Sequence, residues 1–239
     1  MKAVCRFARY VRVDDARHEL PPANHFGARK TRRPPRIYSA KDIDHLIEAA
    51  LQLRPKGGLR SLTYATLIAL LSATGLRISE ALKLTIADVS NDGLLIRETK
   101  FRKTRLVPLH DTAAAGLNRY LARRRPRSDD DPVFIDDRGL SLRYLAVRDT
   151  FNRLVSMSGI QSMATRRPRL HDLRHTFAVR ALQGSPAGRS RCGAHMVALA
   201  TYMGHVNIYA TYWYLEATAD LKRDVAAAGE GFMYEGRQP

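Results

Sequence analysis

The chain has 239 residues, 45% of them hydrophobic and 26% charged. That composition excludes collagen-like, mucin-like and mainly disordered chains, and the length holds one domain of roughly 100–200 residues or one plus a piece of another. Lys and Arg number 40 against 23 Asp and Glu, a net charge of +17, which makes a polyanion the first suspect for a partner.

The N-terminus carries Lys2, Arg6 and Arg9 among its apolar residues, too much charge for a secretory core. Residues 3–13 read instead as a short amphipathic helix: Val4, Phe7, Ala8 and Val11 fall at i, i+3, i+4 and i+7. One helix of this length cannot bury its own stripe, so it is a docking arm or a piece of another domain. Residues 21–36 break regular structure with Pro21, Pro22, Gly27, Pro34 and Pro35. Arg29, Lys30, Arg32, Arg33 and Arg36 stand between them. This is a stiff basic linker suited to lying along phosphates, or a solvated tether. From Ile37 the chain becomes compact. Ser39 with Asp42 three residues on is a helix N-cap signal ahead of Ile43, Leu46 and Ile47. A second helix runs through Tyr64 to Ser72 and stops at Thr74-Gly75, and a third starts near Ser79. Residues 94–109 read as a β-hairpin with a basic turn. A helix follows from Asp111 to about Arg125, then a short strand at Val133–Ile135. Further helices are expected at 141–158, 171–182, 196–203 and 207–228. Gln183 to Gly193 has almost no core residues and reads as a surface loop or a decayed segment. No run approaches the ~18 apolar residues that span a bilayer. Cys5 and Cys192 are too few to staple the domain or build a Cys-based zinc site, which points to a reducing cytoplasm.

Four segments carry candidate chemistry. In Thr74-Gly75-Leu76-Arg77-Ile78-Ser79-Glu80, a Gly turn sets Arg77 at a helix start beside free backbone N–H groups, an anion-binding arrangement that Glu80 can orient. A plain surface ion pair has the same appearance. The hairpin turn bears Lys100, Arg102, Lys103 and Arg105. A lysine there can deliver a proton into a groove, and the group can equally just touch phosphates. In Arg169-Leu170-His171-Asp172-Leu173-Arg174-His175, His171 and Arg174 share a helix face, setting a neutral-range proton exchanger beside a bidentate phosphate clamp. His171 and His175 also have the i, i+4 spacing of a helical zinc pair, but no third ligand is evident and Arg174 opposes a cation. His175 alone reads as a packing histidine. Last come Gly204-His205 and an aromatic run, in which Tyr209, Tyr212 and Trp213 read as core and Tyr214 stands nine residues after His205.

Taken together, these segments resemble the tyrosine recombinase, or phage integrase, family over about residues 37–220. The family's first arginine box falls on Arg77, its hairpin lysine on Lys100, its H-x-x-R box on His171 and Arg174, its G-H box on Gly204-His205, and its nucleophile on Tyr214. The stretch Thr-Tyr-Trp-Tyr-Leu-Glu-Ala-Thr looks like plasmid- and transposon-borne members. The resemblance implies an α+β, predominantly helical catalytic domain with a small antiparallel sheet. It also implies a site-specific DNA recombinase: Tyr214 attacks a backbone phosphate and leaves a 3′-phosphotyrosine. Arg77, Arg174 and His205 hold the non-bridging oxygens, Lys100 protonates the leaving 5′-oxygen, and His171 assists with the tyrosine proton. These cationic groups replace a metal, so neither metal, ATP nor other cofactor is implied. The implied partner is double-stranded DNA, on which the chain forms a homo-oligomeric tetrameric synapse, alone or with another recombinase. No membrane is involved.

The resemblance divides the chain into residues 1–20, matching the last helix of an N-terminal core-binding domain, a linker at 21–36 and a catalytic domain at 37–239. The family's core-binding domain is longer than residues 1–20, so the expectation is a truncated integrase. One alternative is therefore a DNA-binding module that does not recombine. A relaxing enzyme of the type IB topoisomerase kind shares the Arg, Lys and Tyr chemistry, but the G-H box and the Leu-Arg-His-Thr-Phe run favour a recombinase.

Overall fold

The computed structural model describes residues 2–20, 35–97, 104–160, 167–184, 189–204 and 211. It divides into two compact units, Met1–Arg33 and Pro34–Pro239. In the first, helix α1 (Lys2–Asp14) is amphipathic as expected, with Val4, Phe7, Tyr10 and Val13 exposed.

The second unit is mostly helical: α2 (Ala40–Leu51), α3 (Leu59–Thr74), the single turn α4 (Ile78–Ala81), α5 (Asp111–Arg124), α6 (Tyr144–Met157), α7 (Leu170–Gln183) and α8 (Arg189–Tyr202). Ser39 caps α2 with both arms of a capping box: its Oγ accepts from the Asp42 N–H at 3.1 Å, and Asp42 Oδ2 accepts from the Ser39 N–H at 2.9 Å. Helix α3 is apolar on almost all sides and sits at the centre of the core, packed on α2, α5 and α7. It ends where the Thr74-Gly75 signal placed the stop. Gly75 takes the left-handed conformation at φ +61°, and a Cβ there would lie 2.4 Å from Phe177 Cδ1. Tyr38, 1% exposed, ties the start of this unit to α7. Its N–H donates to Thr176 Oγ1 at 2.9 Å, its hydroxyl to the Arg169 carbonyl at 3.2 Å, and its own carbonyl accepts from Arg180 at 3.1 Å.

Three strands form one antiparallel sheet in the order β1 (Val89–Ser90), β2 (Gly93–Ile96), β3 (Arg105–Val107). The hairpin expected from the sequence is β2–β3, in register Leu94 to Val107 and Ile96 to Arg105. Its turn lies outside the described residues. Strand β1 was not expected, because two residues are too few to show an alternation. In β3, Val107 is fully buried and Leu106 is exposed, so period-2 alternation sends the Arg105 side chain to the buried face.

Two expectations are corrected. Val133–Ile135 is not a strand: the segment makes only isolated bridges, Thr85 with Pro132 and Ile135 with Ser141. Its apolar run is there to fill the core, with Val133 and Phe134 almost wholly buried. The stretch 183–193 is not wholly a loop either, because α8 begins at Arg189. The helix expected at 207–228 lies outside the described residues except for Thr211, which is helical and buried. Among the described residues, no helix is long and apolar enough to cross a membrane.

The faces of α6 give a stability test. Leu154 is fully buried and Leu145 is 60% exposed. Leu154→Ala should cost about 2–5 kcal/mol in denaturant unfolding. Leu145→Ala should stay within about 0.5 kcal/mol of the parent. Equal effects would contradict this assignment of faces.

Candidate active site

Three of the described candidates, Arg77, Arg105 and Arg174, converge on the C-terminal end of α8. A helix end leaves its last carbonyls without intrahelical donors. Here three consecutive carbonyls, that of the last helical residue and those of the two turn residues after it, are taken by guanidinium groups. Arg105 Nε donates to the Tyr202 carbonyl at 2.9 Å, Arg174 Nη2 to the Met203 carbonyl at 2.6 Å, and Arg77 Nη2 to the Gly204 carbonyl at 3.2 Å. Arg174, 3% exposed, also donates through Nη1 to the Gly75 carbonyl at 2.6 Å. The two turns flanking the site, one after α3 and one after α8, are thus joined through one side chain. Gly204 is left-handed at φ +65°, and a Cβ there would lie 2.8 Å from Arg105 Nη1.

Glu80 stands at the centre of this cluster. Its Oε1 accepts from Arg77 Nη1 at 2.7 Å and from Arg105 Nη1 at 3.2 Å. Its Oε2 accepts from the Arg77 backbone N–H at 3.0 Å and from Arg105 Nη2 at 2.9 Å. Burial alone would raise the Glu80 pKa. The hydrogen bonds and charge of Arg105, with those of Arg77, outweigh it and hold the carboxyl below its ordinary value. The sequence paired Glu80 with Arg77 and did not see Arg105 as its second partner. The signal was available: Arg105 and Val107 are two apart on one strand, so a buried Val107 implies an inward Arg105.

His171 and Arg174 lie on α7, which is capped by Asp172. That fully buried carboxylate accepts from the Arg169 N–H at 3.0 Å and from Arg169 Nη2 at 3.1 Å. The His171 ring packs edge-on against His175, with centroids 4.5 Å apart, and the residue remains exposed. Desolvation of the ring and the positive charge of Arg174, followed by Arg169 and Arg77, lower its pKa from 6.5 against the opposing pull of Asp172. The imidazole is therefore neutral at neutral pH and able to accept a proton. It borders a cleft of about 820 Å³ that is also lined by Tyr144, Arg148, Asn152, Arg167 and Arg169. A separate apolar cleft between α2, α3 and α5 is lined by none of the predicted site residues.

Lys100, Arg102, Lys103, His205 and Tyr214 lie outside the described residues, as do Arg29, Lys30, Arg32 and Arg33. Arg36 sits with its guanidinium 5.6 Å from the Tyr38 ring centroid. Arg105, expected on the DNA, has a side chain only 13% exposed, with its donors directed at Glu80 and Tyr202.

The depressed pKa of Glu80 fixes a pH dependence. Between its folded value and its ordinary value of 4.5 the native state binds fewer protons than the unfolded chain. The carboxylate's stabilising contribution is therefore complete above pH 4.5 and is lost as pH falls through the folded value. Glu80→Gln should lower stability at pH 7, and the gap to the parent should narrow below pH 4.5. Denaturant unfolding across that range measures it, and a gap independent of pH would contradict it.

A family model described as the phage integrase family matches residues 37–220. The Sinorhizobium fredii protein y4rE, named only as an integrase/recombinase, is 38% identical over 236 residues, covering 97% of this chain and 74% of that protein. Tyrosine recombinase XerD of Caulobacter vibrioides is 32% identical over 229 residues, covering 91% and 69%. Among solved structures, XerA recombinase aligns with a TM-score of 0.63 at 23% identity, over 86% of this chain and 66% of that one. The Tn1549 transposon integrase, solved with a circular intermediate DNA, aligns with a TM-score of 0.66 at 19% identity, over 95% and 77%. These structural likenesses show a shared fold, and the family match and the sequence relatives go further: the chain belongs to the phage integrase family, the tyrosine recombinases, whose members are DNA strand transferases.

Proposed function

We propose that this chain is a site-specific recombinase that cuts and rejoins double-stranded DNA through a 3′-phosphotyrosine. The observation that carries this reading is the convergence of Arg77 and Arg174 on adjacent carbonyls, those of Gly204 and Met203, at the turn that leads into His205. Two guanidinium groups held that way form a fixed clamp for the non-bridging oxygens of one phosphate, with His205 as a third donor. The Tyr214 hydroxyl oxygen attacks the phosphorus, and the bond from phosphorus to the 5′-oxygen breaks. His171, neutral at working pH, takes the tyrosine proton, and Lys100 gives a proton to the departing 5′-oxygen. The phosphodiester's energy stays in the protein–DNA bond, and a 5′-hydroxyl from a second strand reverses the step. Residues 37–239 form the catalytic domain. Arg29, Lys30, Arg32, Arg33 and Arg36 in the linker, with Arg102 and Lys103 in the hairpin turn, follow phosphates, each neutralised phosphate adding about −0.9 to the slope of log K against log salt. Helix α1 belongs to an N-terminal DNA-clamping domain, and four protomers make the synapse.

A suicide substrate that traps the covalent adduct tests the chemistry. Tyr214→Phe should abolish attachment and leave DNA binding nearly unchanged. Adducts persisting in that variant, or mapping to Tyr209 or Tyr212, would overturn the assignment.

A second test isolates Lys100. Its loss in Lys100→Ala should slow cleavage of ordinary DNA by about 100-fold or more. Sulfur in place of the 5′-bridging oxygen should restore most of that rate, because a thiol ionises near pH 8.5 and needs little help in leaving. Arg77→Ala and Arg174→Ala should not be rescued, since their task is the non-bridging oxygens. Equal rescue of the arginine variants, or rescue of Lys103→Ala instead, would remove Lys100 from the role.

A further inference from the structure

We infer that Arg105 is a positioning residue for the recombinase site rather than a DNA contact: its guanidinium sets the Arg77 clamp and the turn before His205 in one frame. The effect on rate rests on the proposed function, but the positioning itself does not. Three observations carry it. First, Arg105 meets Glu80 as a bidentate fork, Nη1 to Oε1 at 3.2 Å and Nη2 to Oε2 at 2.9 Å, the geometry in which arginine gives direction as well as charge. Glu80 in turn holds both the side chain and the backbone N–H of Arg77. Second, the third nitrogen of the same guanidinium, Nε, donates to the Tyr202 carbonyl at 2.9 Å. One planar group therefore fixes the distance between α4 and the end of α8. Third, the side chain lies directly against Gly204, where a Cβ would sit 2.8 Å from Nη1. The absence of a side chain at Gly204 is what lets Arg105 reach across.

Arg105 is also the first residue of β3, paired with Ile96 across the sheet. The strand that follows the basic turn is thereby anchored to the cluster at its first residue. A lysine at position 105 keeps the charge but has no fork and cannot serve Glu80 and the Tyr202 carbonyl in the same plane. A mere surface cation would be replaceable by lysine, whereas a fork would not.

The test uses the full chain, the variants Arg105→Lys and Arg105→Ala, and two readouts. At saturating suicide DNA, the single-turnover rate of covalent attachment should fall by about 100-fold in both variants, the scale at which small misplacements act. DNA affinity and its salt slope should stay those of the parent. A direct phosphate contact predicts the reverse, a salt slope shallower by about 1 with the saturated rate kept, and that result overturns the inference. So does a full rate in Arg105→Lys. The second readout needs no activity. Amide hydrogen exchange at Met203 and Gly204, whose N–H groups donate to the Leu199 and Thr201 carbonyls, should quicken in both variants without DNA, while α2 keeps its protection. Unchanged protection overturns the positioning role even in a chain that never cuts DNA, whereas failure of the parent chain to form any adduct sinks only the recombinase reading. In the parent itself the Arg105 Nε–H should exchange slowly with water. Rapid exchange there overturns the inference without any variant.

Discussion

A buried carboxylate is costly unless donors surround it. Glu80 is 8% exposed and receives four donors, two on each oxygen, all from Arg77 and Arg105. Most of the site's geometry follows from that requirement. The carboxylate needs both arginines to be buried, and satisfying it fixes where both guanidinium planes lie. One of those planes is a candidate phosphate clamp and the other reaches the turn after α8. The same logic applies on the opposite side of the cluster. The carbonyls at the end of α8 need donors, and three guanidinium groups are near enough to supply them.

The charge balance is informative. Arg77, Arg105 and Arg174 bring three positive charges against the single negative charge of Glu80. The carbonyls of Gly75, Tyr202, Met203 and Gly204 accept from the same three guanidinium groups and share in compensating that charge. Positive charge nearby also acts on His171. After desolvation, it is the field of Arg174, Arg169 and Arg77 that lowers the imidazole's pKa. The arginines nearest the imidazole thus favour its neutral form through their charge.

Much of this was legible in the sequence because it depends on local spacing. The capping box at Ser39 and Asp42, the stop at Gly75, the helix carrying His171 and Arg174, and the hairpin pairing β2 with β3 all rest on residues a few positions apart. What the sequence did not show depends on long-range packing. Val133 and Phe134 have the composition of a strand, but their surroundings demand core filling and offer no ladder partner along their length. The residues from Arg189 carry no apolar stripe that would announce a helix, yet α8 starts there. Glu80 and Arg105 are 25 positions apart, and nothing in either segment names the other. Arg77, Arg174 and His171 stand out as candidates because each sits in a short motif. Arg105 sits beside the Leu-Val-Pro-Leu run and by sequence alone reads as one more cation of a basic turn.

The difference between Arg105 and its neighbours in that turn lies in the strand's pleat. A basic residue in a turn answers to solvent and to whatever anion arrives. Once the chain enters a strand, alternate residues are committed to opposite faces. Leu106 is 47% exposed and Val107 is buried, so the face available to residue 105 is decided by its neighbours and not by its charge. An arginine forced inward must find a carboxylate or carbonyls, and here it finds both. That necessity also explains why glycine suits position 204. The backbone there turns left-handed, and the Arg105 guanidinium passes at a distance that any side chain would close. Strand pleat, buried carboxylate and left-handed glycine thus form a single constraint. Altering any one of them changes the geometry available to the other two.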